Sequence, residues 1–143
     1  MCMVYFLGSD SEVPRTPAWD ENHPAFYVGD PSADEMKLVR EKLPHQHIRF
    51  LGSHEGCGCG FRCEHDGFLF GREGEEAFVE ASDHIALVVY SSSLPSQERP
   101  MQIFGCWSGD EGEEVAYRRE CTIAELGSPT FAFREREVIT LRP

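Results

Sequence analysis

The sequence predicts an α+β fold, with a single mixed sheet of about four to six strands and two main helices on one face of it. Two observations support this prediction. Short apolar runs near both ends and in the middle of the chain have the length of strands, and two longer segments have apolar residues at helical spacing. A chain of 143 residues can bury a core of its own, so we expect one globular domain over residues 1–143.

The N-terminal third is expected to contain three strands and one long loop. Residues 1–7 are apolar and predict the first strand. The segment 8–24 is polar and contains three prolines, which indicates an extended surface loop that Trp19 holds to the body of the protein. A short second strand is expected at 24–28, and alternating residues at 47–51 predict a third.

The first helix is predicted over residues 32–43. Ser32 and Glu35 have the spacing of a capping box, in which each side chain binds the other residue's backbone N–H. Met36, Val39 and Leu43 then follow on one face, and the next residue is a proline, which cannot continue a helix.

The second helix is predicted over residues 75–93. A β-branched run at 85–90 would also suit a strand, but the length and the acidic start favour a helix. In this interpretation Asp83 and His84 lie on the exposed, polar side. The apolar stripe that faces the core then consists of Phe78, Ala81, Ile85, Val88 and Val89.

The remaining elements are short. Brief strands are expected at 67–71, 101–107 and 137–141. Thr122 and Glu125 form a second capping-box pair, which predicts a one-turn helix.

The composition restricts the partners of this protein. Its net charge of −12 comes from 13 basic and 25 acidic residues without a basic patch, which argues against nucleic-acid and membrane-surface binding and is compatible with a cation or a basic protein partner. The longest apolar run is far shorter than the roughly 20 residues of a membrane span. The N-terminus lacks the basic leader of a signal peptide, so six cysteines indicate a reducing, cytoplasmic location.

Metal-binding residue types are concentrated in one glycine-rich segment. Cys57, Cys59 and Cys63 lie within a few residues of His54 and His65, and glycines at 56, 58 and 60 allow a tight loop. Thiolates and imidazoles are the usual ligands of zinc, which most often takes four of them. We therefore expect a metal site, zinc by preference and copper as a variant, with Cys57 and Cys59 as ligands, then Cys63, and His65 ahead of His54.

Three other interpretations of the same segment stay open. Cys57 or Cys59 could be the reactive thiol of a redox protein or an enzyme, although the sequence indicates no reaction. The loop could also be a plain glycine-built turn, or the protein an acidic interaction module without chemistry of its own. Cys2, Cys106 and Cys121 stand apart in the sequence and are expected to take no part in the site.

The loop also resembles one in a group of small bacterial proteins. The resemblance covers Gly56-Cys57-Gly58-Cys59-Gly60-Phe61 and the preceding Leu51–His54, together with Pro24–Phe26 and Phe133–Glu137. It implies a free-standing bacterial cytoplasmic domain, and it implies no activity or ligand.

Overall fold

A computed structural model describes residues 2–65, 68–70, 74–95 and 98–143. In these residues the strands are Met3–Ser9 (β1), Tyr27–Gly29 (β2), His47–Gly52 (β3), Cys63–His65 (β4), Phe68–Phe70 (β5), Gln102–Trp107 (β6), Tyr117–Thr122 (β7), Phe133–Arg134 (β8) and Glu137–Arg142 (β9). The α-helices are Ala33–Val39 (α1) and Glu75–Ser93 (α2), and single 3₁₀ turns are formed by Gly58–Gly60 and Ala124–Gly127.

The strands form one main sheet of six and a small sheet of three. The main sheet has the order β2-β3-β1-β6-β9-β7, with β7 and β9 parallel and the other neighbours antiparallel. The small sheet has the order β5-β4-β8, with β4 and β8 parallel. The α+β class and the single main mixed sheet are therefore confirmed, whereas the small second sheet was not predicted.

The two α-helices lie on opposite faces of the main sheet, so the prediction that both cover one face is wrong. The central strand β1 is buried along its whole length. Val4 and Phe6 pack in one core cluster with Val39 of α1, and Tyr5 packs in a second cluster with Leu87 of α2. A strand that is apolar on both faces needs a cover on each of them, which explains the arrangement.

Helix α1 begins as predicted and ends early. Ser32 and Glu35 form both hydrogen bonds of the capping box, at 3.1 and 2.8 Å. The regular helix stops at Val39, and the chain continues in a tight turn in which the N–H of Leu43 still binds the carbonyl of Val39 at 2.9 Å. Leu43 is fully buried, so the predicted apolar face is kept by a shorter helix.

Helix α2 has the predicted bounds, but the face that it turns towards the core is not the predicted one. Phe78, Ile85 and Val89 are 75%, 56% and 64% exposed, whereas Asp83 and His84 are only 3% and 1% exposed. The predicted apolar stripe is therefore wrong, and the physical reason is the set of buried partners described below.

Most of the remaining predictions are confirmed. The strands expected at 1–7, 47–51, 101–107 and 137–141 correspond to β1, β3, β6 and β9, and that at 67–71 to β5, although its end residues lie outside the described residues. The one-turn helix after Thr122 is present, with the capping pair bonded at 2.9 and 3.2 Å. No helix of the described part of the chain is both long and apolar enough to span a membrane.

Candidate metal centre

The cysteine loop connects β3 to β4 and is held by its own hydrogen bonds. The hydroxyl of Ser53 donates to the carbonyl of Cys57 at 2.6 Å and accepts from the N–H of Gly60 at 2.9 Å. Gly58 lies so close to the ring of Tyr5 that a Cβ there would overlap it. The glycine spacing therefore lets the loop lie directly on the central strand β1, of which Tyr5 is part.

Two aromatic side chains fix the loop from outside. The indole Nε1 of Trp19 donates to the carbonyl of His54 at 3.0 Å, and the hydroxyl of Tyr27 donates to the carbonyl of Gly56 at 2.5 Å. Gly56 has a φ of +85°, a conformation that favours glycine. The prediction that Trp19 holds the segment 8–24 to the body of the protein is confirmed.

Three cysteine sulfurs come together at this loop. The Sγ atoms of Cys2, Cys57 and Cys59 all lie within 4.8 Å of one another, which is a group that could hold a metal ion. The N–H of Met3 points to the Sγ of Cys59 at 3.3 Å, and the N–H of Cys59 to the Sγ of Cys57 at 3.5 Å. Backbone N–H groups directed at sulfur favour its anionic form, which is the form that binds a metal.

This group differs from the ligand set expected from the sequence. Cys57 and Cys59 belong to it. Cys63 does not, since it is 5% exposed and packs in the core cluster that contains Tyr5. His54 binds an aspartate instead, and the side chain of His65 lies outside the described residues. Cys2, which the sequence placed apart, completes the group because β1 begins beside the loop.

The Cys57 thiol is not activated. Burial, followed by the neighbouring thiols of Cys59 and Cys2, raises the pKa of Cys57 to about 12. Catalytic and redox-active cysteines have lowered pKa values, so the interpretation of Cys57 as an activated thiol gains no support here. A metal ion would have to displace protons on binding, which makes its affinity depend on pH.

A buried carboxylate ties the start of the loop to α2. Asp83 accepts the backbone N–H of His54 at 2.9 Å, and its second oxygen lies 2.5 Å from the His54 Nδ1. Burial raises the pKa of Asp83, while the hydrogen bond and the charge of His54 act in the opposite direction. The other ring nitrogen of His54 lies 3.5 Å from Glu55.

An arginine ties the end of the loop to the same helix. The Arg62 Nε binds Glu80 at 2.6 Å in a pair that is almost fully buried. Its Nη1 donates to three carbonyls of one segment, those of Ser128, Pro129 and Phe131, at 3.2, 2.8 and 2.7 Å. The guanidinium charge is thus matched by one carboxylate and three dipoles, as a buried charge requires.

The imidazole of His84 completes this arrangement in its neutral form. Its Nε2 accepts the backbone N–H of Arg62 at 2.8 Å, so its Nδ1 carries the proton and donates to the carbonyl of Leu126 at 3.0 Å. Burial, followed by the charge of Arg62, lowers the pKa of His84 to about 4. We call His54, Arg62, Glu80, Asp83 and His84 the buried polar cluster.

Sequence reasoning missed the buried polar cluster, although one signal was present. Asp83 and His84 lie three and four residues after Glu80, and Leu87 and Ser91 continue the same spacing, which places all five on one helical face. That face is buried, but only the partners from the loop and from segment 126–131 make its burial possible.

Comparisons with known proteins found no match among family models, curated proteins or solved structures. The fold and the site therefore define the class: a small α+β protein in which a three-cysteine group that could hold a metal ion lies on a loop clamped by buried polar side chains.

Proposed function

We propose that this protein binds a thiophilic metal ion, zinc by preference, through Cys2, Cys57 and Cys59. The observation that supports the proposal is the convergence of three sulfurs within 4.8 Å. Thiolates bound at about 2.3 Å to a tetrahedral zinc ion lie about 3.8 Å apart, so small side-chain movements suffice to close the site. Three protein ligands leave a fourth position for water or another ligand.

The surroundings of the sulfurs hold two of the three proposed ligands in place before an ion binds. The loop backbone is already fixed by Ser53, Trp19 and Tyr27, so the positions of Cys57 and Cys59 do not depend on an ion. A bound metal would instead connect the exposed Cys2 to the loop. Its structural contribution is therefore expected at the start of β1.

Copper in its monovalent state is the second candidate. Thiolate ligands are soft and select Cu(I) as well as zinc, and Cu(I) is satisfied by three of them. The observation that favours it is the absence of a fourth ligand from the group formed by the described residues.

The test is a titration of reduced, metal-free protein with zinc, with Co²⁺ as a coloured substitute for zinc, and with Cu(I). We expect one equivalent to bind and thiolate-to-cobalt charge-transfer absorption to appear. Cys2→Ser, Cys57→Ser and Cys59→Ser should each weaken binding strongly, because each removes one ligand of three. Because thiolate sites in general bind Cu(I) more tightly than zinc, the ion is assigned by the metal content of protein purified without chelator.

The matched control is Cys63→Ala, which removes a thiol of the same loop that lies outside the group. Binding should survive this change. Loss of binding in Cys63→Ala with retention in Cys2→Ser would contradict the proposed ligand set. Failure of the unaltered protein to bind any of the three ions would contradict the function itself.

A further inference from the structure

An apolar pocket lies at the C-terminal end of α2, and none of its residues belongs to the proposed metal centre. Its walls come from the end of α2, the segment that enters β6, the 3₁₀ turn Ala124–Gly127 and the end of β9. Its volume is about 580 Å³, which falls within the range of small-molecule sites.

The lining of this pocket is apolar and largely fixed. Leu94, Met101, Ile123 and Leu141 contribute to it. Met101 and Leu141 belong to the main core cluster, and the carbonyl of Met101 accepts the N–H of Leu141 at 2.9 Å. Binding would therefore require little rearrangement, which reduces its entropic cost.

One buried hydroxyl in the wall has no partner. Ser91 lines the pocket and is 1% exposed, and its Oγ makes no hydrogen bond within the described residues. Glu80, Asp83 and His84 on the same face of α2 all make hydrogen bonds through their side chains. Ser91 differs from them in this respect. A buried hydroxyl without a partner is unfavourable. The Ser91 Oγ is enclosed, so the side chain has to rotate about χ1 to meet a ligand oxygen, which would then relieve that cost.

The charges around the pocket disfavour an anionic ligand. Arg142 lines it, but its Nη2 is bound to Glu120 at 2.7 Å, which compensates the positive charge. Glu98 adds a negative charge to the wall, and the whole chain carries −12. A carboxylate or phosphate would therefore be repelled.

We propose that this pocket binds a small neutral molecule that is largely apolar and carries one hydroxyl or carbonyl oxygen, which pairs with the hydroxyl of Ser91. The site is separate from the proposed metal centre and does not depend on it.

Three probes with one ring system test this proposal by fluorescence titration of the full chain: naphthalene, 1-naphthol and 1-naphthoate. We expect 1-naphthol to bind most tightly and 1-naphthoate most weakly. Ser91→Ala should weaken 1-naphthol by about threefold to tenfold, the value of one hydrogen bond, and leave naphthalene unchanged. Because the Ser91 hydroxyl has no partner among the residues that the structure describes, this variant should fold normally.

A matched pair of variants locates the binding. Ala124 lines the pocket, and Ala116 is an exposed alanine outside it. Ala124→Phe should abolish binding of every probe, whereas Ala116→Phe should leave it intact. The proposal is overturned if no probe binds, if the two variants behave alike, or if Ser91→Ala lowers both neutral affinities equally or neither.

Discussion

The two faces of α2 contrast in a way that hydropathy would not predict. The buried face carries Glu80, Asp83 and His84, each at most 3% exposed, and the outer face carries Phe78 and Ile85, each more than half exposed. Each of these three polar groups has a fixed partner in the loop or in segment 126–131. Which face of α2 is buried thus depends on the hydrogen-bond partners available to its polar side chains as much as on the apolar area that each face could bury.

The largest effect on stability is expected from Glu80→Ala. It leaves the charge of Arg62 buried without its carboxylate, which typically costs about 3–5 kcal/mol. Chemical denaturation measures the free energy of unfolding. Glu75→Ala, at an exposed position in the first turn of the same helix, is the control and should cost at most about 1 kcal/mol. Equal losses would mean that the Arg62–Glu80 pair has no special role.

The second-largest loss of stability is expected from Leu87→Ala. Leu87 is fully buried on the same face as the buried polar cluster, and removing its side chain should cost about 2–5 kcal/mol. The melting temperature and the urea midpoint both measure this loss. A change below about 1 kcal/mol would show that the buried face is held by its polar groups alone.

Acid should weaken the fold through His84. Its pKa is lowered from 6.5 to about 4, so the unfolded chain binds a proton over this interval that the folded protein does not. The stability contribution is present above pH 6.5 and falls as the pH drops towards 4, by up to about 3 kcal/mol. Unfolding at several pH values measures the slope.

The control for this slope is His84→Gln, whose amide can accept from Arg62 and donate to Leu126 without titrating. Burial raises the pKa values of Asp83 and Glu137, which acts in the opposite direction, but both carboxylates are present in both proteins. The difference between the two curves therefore isolates the imidazole. Parallel curves between pH 7 and pH 4 would show that His84 is not the titrating group.

The smallest effect is expected on the outer face. Ile85→Ser replaces a side chain that is 56% exposed, so its cost should stay within about 0.5 kcal/mol. Thermal unfolding beside Leu87→Ala gives the direct comparison. A loss as large as that of Leu87→Ala would show that the outer face is covered by another surface in solution.

Sequence reasoning succeeded where the signal is local. The capping box at Ser32 and Glu35, the bounds of α2 and the convergence of Cys57 with Cys59 each depend on residues close together in the chain. Strands of two or three residues, such as β4 and β8, are too short to show a period.

The failures at the candidate site and on the buried face of α2 have one cause, which is distance along the chain. Cys2 joins the cysteine group only because β1 lies beside the loop. Glu80 and His84 are buried only because Arg62 and Leu126, 18 and 42 residues away from them, supply partners. Hydropathy along a single helix contains no information about either event.

The position of β1 also determines when this protein can fold during synthesis. β1 is central in the main sheet, and its Met3 pairs with Trp107 of β6. At ribosomal rates of roughly 5–20 residues per second, β1 waits about 5–20 s for that partner. Its other neighbour β3 is synthesised earlier, but the edge that pairs with β6 stays open over this interval, and both faces of β1 are apolar, so this edge of the nascent chain is prone to aggregation. The demand for chaperones should accordingly be set by the rate of translation between β1 and β6.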